Sequence, residues 1–317
     1  MSSLSRMISV LAAVGAVFAL TGAPAPAATL ACGDKITQDT IVENDIVCTD
    51  PAAIGLVIGA DNITVRFRGH SITGAGALGQ GSAGIATDVE HTGVMVRDAH
   101  IDGFDSGIAM SATNSDVRGN VFSNVDTGMS VFGDGNFVYR NVMASAGTLG
   151  LDIFGNDVYL WGNWVTGKPA AGIAVDGDNS LVVRNKVLGC SGFDGITISG
   201  YSTFSKVAQN TVTGCDSGIA MVGAGNHAHL QSSNVSGNCD GLFVTDPTAF
   251  VWRNNAHDNR CSGISLGEAG ATVQENAADN NGGIGIDAVL GTIDGGGNHA
   301  SGNPDGDCFV VICTPSI

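Results

Sequence analysis

Short apolar runs dominate the chain. Val, Ile and Leu alternate with polar residues over three to five positions, and then Gly, Asn or Asp interrupts. Two-residue alternation of this kind marks strands with one buried face. No ten-residue stretch carries a helical period.

The alternation itself recurs. An apolar residue directly follows Gly84, Gly107, Gly128, Gly150, Gly172, Gly195, Gly218, Gly241, Gly263 and Gly285, at intervals of 21 to 23. Gly55 opens the series one longer interval earlier, with the excess looped out around GALGQGSAG. A second column runs in phase: Val or Leu, two variable residues, then Asn, at Asn120, Asn141, Asn163, Asn185, Asn210, Asn254 and Asn276, with Ser233 on the missing rung. Each repeat therefore holds three short strands. A period of 21–25 residues with three strands predicts an all-β fold, a single-stranded right-handed parallel β-helix: a solenoid of about eleven turns. A leucine-rich-repeat solenoid shares the period but needs more Leu than this chain carries. Ile108, Met129, Leu151, Ile173, Ile196 and Ile219 should stack inside. The Asn side chains should sit at a bend and bond to neighbouring turns. The glycines should mark positive φ or close backbone approach.

The ends read differently from the repeats. Residues 1–27 have an arginine, the apolar run MISVLAAVGAVFAL and an Ala25-Pro26-Ala27 site, the form of a removed secretory signal. The expected order is then an N-terminal disulfide-closed cap over 28–54, β-helix repeats over 55–297 and a C-terminal cap over 298–317. The opening CGDKITQDTIVENDIVC and the run GLVIGADNITVRFRGHSITG resemble the start of bacterial secreted right-handed β-helix repeat proteins of the pectate-lyase-like superfamily, with Arg66 and Arg68 where that pattern has Asp and Asn. The resemblance implies the fold over almost the whole mature chain. It implies no one activity, because lyases, hydrolases, epimerases and adhesin-like proteins share the fold. The Arg-x-Pro-x-x-Arg, Gly-His-Gly and Tyr-Gly-x-Asp-Pro-His signatures of its lyases, polygalacturonases and epimerases do not occur here.

Eight cysteines in an exported chain predict disulfides. Repeat phase puts Cys190 beside Cys215 and Cys239 beside Cys261, one turn apart and within reach. Cys32–Cys48 would close the first cap and Cys308–Cys313 the last.

Charge narrows the partners. The formal net charge is −17 at pH 7, and losing Arg6 with the signal leaves 12 − 30 = −18. Nucleic acid is excluded as a partner on this ground, and so are anionic membranes once the signal is gone. A secreted monomer, extracellular or periplasmic, is the expectation.

Three outward columns carry candidate chemistry. On one, Asp152 and Asp176 lie close together beside Phe132 and Phe154, a carboxylate pair with a stacking surface as glycan chemistry requires. Arg140 and Arg184 are candidate catalytic partners for them. On the second, Arg118, Tyr139 and Trp161 occupy successive turns and could seat a sugar chain. The third is an acidic stripe whose Asp194, Asp216 and Asp240 make Ca²⁺ a candidate ion, although such residues also form turns. No other cofactor is implied. The expected function is binding of an extracellular or cell-wall polysaccharide along an outward groove. The alternative is a polysaccharide lyase or uronate C5-epimerase.

Overall fold

The computed structural model describes residues 25–76, 78–167, 169–199, 203–223 and 227–314. Among these, the chain coils into a parallel β-helix with no α-helix. Three sheets run its length, two of 13 strands and one of 14. Sheet 1 carries the residues after each repeat Gly. Sheet 2 carries the Val or Leu that precede each ladder Asn, and sheet 3 follows that Asn. Every strand pairs in parallel with the strand one turn away, so Ile108, Met129, Leu151, Ile173 and Ile196 are direct partners in one file. All are buried.

The solenoid is longer than the expected eleven turns, at about twelve. The reason is that both caps continue the ladders. Asp34–Ile36, Thr40–Val42 and Ile46–Val47 are rungs of sheets 1, 2 and 3, as Cys308–Phe309 and Cys313–Thr314 are at the other end. Most of the 1–27 signal lies outside the described residues; Ala27 and Ala28 pair with Ile41 and Val42.

The repeat glycines have one of the two expected causes. None of the ten from Gly84 to Gly285 has positive φ; each is a point of close approach. A Cβ on Gly107 would meet the Phe122 ring at 2.2 Å and the carbonyl oxygen of Gly128 at 2.4 Å. The missing side chain lets sheet 3 fold in against sheet 1.

The asparagines form a continuous file. Asn163 Nδ2 donates to the carbonyl of Val138 at 2.8 Å and to Asn185 Oδ1 at 3.0 Å, while its Oδ1 accepts from the backbone of Asn141 at 3.0 Å. Ser233 maintains the file: its Oγ accepts from Asn210 N at 3.3 Å. A second file, Asn238, Asn259, Asn281 and Asn303, lines the corner after sheet 3 in the last turns. All four expected disulfides are present, with Cα atoms of Cys190 and Cys215 4.6 Å apart and those of Cys239 and Cys261 4.8 Å apart.

Candidate functional site

Inward positions of each sheet are consumed by packing, so chemistry falls to outward positions, which stack one per turn. The outward face of sheet 2 stands apart. One of its files reads Arg66, Arg97, Arg118, Tyr139, Trp161 in unbroken register. The parallel file two residues earlier holds Met95, Asp116, Phe137 and Tyr159. Further along, Phe250 and Trp252 extend the aromatic surface. Of the 13 basic residues in the chain, seven lie on sheet 2 strands or on the residue directly after them: Arg66, Arg97, Arg118, Arg140, Arg184, Lys206 and Arg253. Four of these are on the strands and three at the corner that follows them.

Local contacts fix these side chains. Arg118 Nη1 donates to Tyr139 Oη, whose hydroxyl donates to Asp116 Oδ2 at 3.2 Å. Arg118 also pairs with Asp116 at 3.4 Å. Burial pushes the Asp116 carboxyl above the usual range, against the pull of Arg118. Arg140 lies over the Trp161 ring at 4.9 Å and Arg253 over the Trp252 ring at 4.3 Å, both cation–π contacts.

Sheet 1 carries the carboxylate pair. Asp152 is opposite Ala174, and Asp176 is opposite Phe154, so the two acids are diagonal neighbours. Both line a shallow cleft of about 110 Å³ with Thr197 and Ser199. Burial alone pushes the Asp152 carboxyl up. Ser199 Oγ is buried without a partner among the described residues. Phe132 and Phe154 stack with centroids 5.0 Å apart and planes at 4°.

The expected groupings come apart in one respect. Arg140 and Arg184 stand at the corner after sheet 2, whereas Asp152 and Asp176 face outward from sheet 1, so the structure does not assemble these four into one centre. The reason is geometric: each outward column belongs to one face of the prism. Arg184 instead donates from Nε to Gln209 Oε1 at 2.8 Å. The substrate-binding set divides in the same way, with Arg118, Tyr139 and Trp161 on sheet 2 and Phe132 and Phe154 on sheet 1.

Two of the three residues of the acidic stripe accept hydrogen bonds from the chain itself. Asp194 accepts from Ser217 N at 3.3 Å and Thr197 Oγ1 at 3.3 Å, and Asp240 accepts from Ser262 N at 2.9 Å. Burial raises Asp240, and Asp216 and Asp287 add to the rise. No group of three His, Cys, Asp or Glu among the described residues is close enough to hold a metal ion.

Arg97 was not singled out in the sequence, and Arg66 was noted only as a departure from the opening pattern, not as part of this file. Their signal was present in VRF, VRD and VRG, where Arg follows the same inward Val three turns running. The Asn that marks the column elsewhere is absent from the turn of Arg97, where Ala99 takes its place.

Residues 152–303 match a family model described as a right-handed β-helix region. No curated protein sequence matches the chain. Among solved structures, the periplasmic alginate epimerase AlgG is similar at 14% identity and TM-score 0.54, over 80% of this chain and 67% of that one. DFA-IIIase from Arthrobacter chlorophenolicus A6, without its lid, is similar at 13% identity and TM-score 0.56, over 95% of this chain and 94% of that one. The catalytic domain of a GH87 α-1,3-glucanase in complex with nigerose is similar at 16% identity and TM-score 0.53, over 86% and 63%. Identities this low speak to architecture alone, and with the ladders above they make the chain a right-handed parallel β-helix protein.

Proposed function

We propose that this is an exported protein that binds an extended extracellular or cell-wall polysaccharide along the outward face of sheet 2. One observation carries the reading: a chain of net charge −17 gathers arginines and aromatic rings into a single registered file there. Aromatic faces stack on the apolar faces of pyranoses, and rungs about 4.8 Å apart repeat on the scale of a sugar chain. The four disulfides suit an oxidising compartment. Structural similarity to an alginate epimerase and an α-1,3-glucanase supports a glycan ligand at the level of fold.

The test is binding of a polysaccharide panel by the purified protein, followed through Trp fluorescence. Trp161→Ala should weaken binding by about tenfold, the scale of one lost stacking contact. Equal binding by native protein and variant, for every polymer that binds, would refute the assignment.

The sheet 1 cleft supports a second reading, a polysaccharide lyase or C5-epimerase. Asp152 has its carboxyl raised by burial, and a raised carboxyl with a second carboxyl group lining the same cleft, here Asp176, is the arrangement of a general acid–base pair. Turnover of a uronate polymer, lost in both Asp152→Asn and Asp176→Asn with binding retained, would support it. Binding without turnover by the native protein would leave the binding role alone.

A further inference from the structure

The sheet 1 cleft holds polar groups that the protein leaves unpaired. One outward file runs Asp152, Ala174, Thr197, and Ala174 makes the hollow, because nothing beyond its Cβ fills the rung between the other two. The neighbouring file runs Phe132, Phe154, Asp176 and then Ser199, which follows Ile198, the partner of Val175. No hydrogen bond or ion pair among the described residues reaches the carboxyl of Asp152 or of Asp176. Ser199 Oγ is buried and equally without a partner there. Three oxygen acceptors therefore line one space of about 110 Å³. Burial raises the Asp152 carboxyl, and no donor or cation of the chain offsets that cost. Charge around the cleft has one sign. Among the described residues, Lys35 is the only basic residue on a sheet 1 strand; it stands five rungs from Asp152 and pairs with Asp88. A carboxylate ligand would meet two carboxylates and no counter-charge.

We infer that this cleft binds a primary ammonium group carried on a sugar ring, an amino sugar whose nitrogen bears no acyl group. An ammonium has three donors, and Asp152, Asp176 and Ser199 present three acceptors. Its bonds to the two carboxylates are charge-assisted, and the third satisfies the orphaned hydroxyl. The rings fit the same ligand. Phe132 and Phe154 are both exposed and nearly parallel, a flat apolar surface on the two rungs before Asp176. Such faces stack on pyranoses and attract a nearby cation. Rings and acceptors share one file, so a glycan lying along the solenoid axis rests on the rings and sets its amine one rung further on. Acetylation of that nitrogen removes the charge and two of the three donors. The inference stands apart from the sheet 2 strip and gives the sheet 1 cleft a ligand opposite in charge to a uronate.

The experiment titrates the purified full chain calorimetrically, on the acid side of neutrality, with short glucosamine oligomers and with the same series N-acetylated. Native protein should prefer the free amine by about tenfold or more, the scale of one charge-assisted pair. Asp152→Asn and Asp176→Asn should each lose that preference while keeping their affinity for the acetylated series, and Ser199→Ala should lose a smaller part of it. If Asp152→Asn does not fold, the half-buried Asp176 carries the comparison. Two controls separate the cleft from other sources of attraction. Asp305→Asn removes an equal charge at an exposed position in the last turns, and Trp161→Ala removes a ring from sheet 2; both should leave the preference intact. Equal affinity of the native chain for the two series, or binding of neither, would overturn the inference. So would a preference that Asp305→Asn or Trp161→Ala reduces as far as Asp176→Asn does, because that marks the general pull of an acidic chain or a site on sheet 2. Oligogalacturonates whose binding weakens in Asp176→Asn would return the cleft to a uronate and overturn it as well.

Discussion

Asn163 shows how one side chain can hold three turns together. It is buried, and its amide joins the carbonyl of Val138, the side chain of Asn185 and the backbone N–H of Asn141. Truncation to Ala would strand Val138 O and Asn141 N in the interior. Each orphaned group costs about 1–3 kcal/mol, so Asn163→Ala should destabilise by about 3 kcal/mol in urea unfolding. The converse applies at the imperfect rung. Ser233 accepts from Asn210 N but cannot reach as an amide does, so Ser233→Asn should add about 1 kcal/mol by supplying the side-chain bond that Asn163 makes to Asn185 and Asn254 makes to Asn276. This file was legible because its spacing from Val or Leu is fixed by the strand. The second file was not. Asn238, Asn259, Asn281 and Asn303 sit in SGNCD, DNRC, NNGG and SGNPD surroundings, where Asn reads as an ordinary turn residue. Arg97 escaped notice for a related reason: the column was indexed by an Asn that this turn lacks.

At the scale of elements, the first turns are fastened by a charged clasp rather than by asparagine. His91 bonds through Nδ1 to Asp61 at 2.9 Å and through Nε2 to Asp88 at 2.8 Å, and Lys35 pairs with Asp88 at 2.5 Å. Three successive turns are thereby linked. Burial alone would lower His91, but Asp88 and then Asp61 outweigh it and hold it above its ordinary 6.5. The hydrogen bond from Lys35, followed by that from His91, brings Asp88 down from 3.8 to about 2. The raised His91 contributes stability that is complete below 6.5 and fades as pH rises through its higher folded value. The lowered Asp88 contributes stability that is complete above 3.8 and fades as pH falls towards 2. The clasp is therefore tightest between those limits. Amide exchange of the strands Asp34–Ile36 and Ala83–Thr87, corrected for its intrinsic pH dependence, should stay constant up to about pH 6.5 and quicken as pH rises above it. His91→Gln should abolish that change, and an unaltered pH response in the variant would show that the clasp does not govern these turns. Spacing alone revealed the strands that the clasp joins. The clasp itself was hidden because its members come from three turns and share no column.

The whole molecule is a stack in which each turn touches only its neighbours, so its two ends carry the exposed strand edges. The 28–54 segment reads as a cap, and in the structure it is also the first complete turn. Ile36, Val42, Ile46 and Cys48 are buried in the same core as Leu56, Ile58 and Ile72 below them. The Cys32–Cys48 bond closes that turn on itself. A chain beginning at Gly55 would uncover Leu56 and Ile58 from above and free the edge that pairs with Asp34–Ile36. It would keep nearly every repeat and both asparagine files. Local stability beyond the second turn should hardly change, because turns interact only with the next one. The edge, however, is parallel, regular and apolar, which is the form that recruits other strands. Light scattering should therefore show concentration-dependent association of the shortened chain, at concentrations where the full chain scatters as one species. Lys substituted at Val57, an outward neighbour of Ala86 on that edge, should reduce the association without restoring the lost turn. If the shortened chain stayed as disperse as the full one, the first turn would be one more repeat, and protection of the end would have to come from elsewhere on the rod.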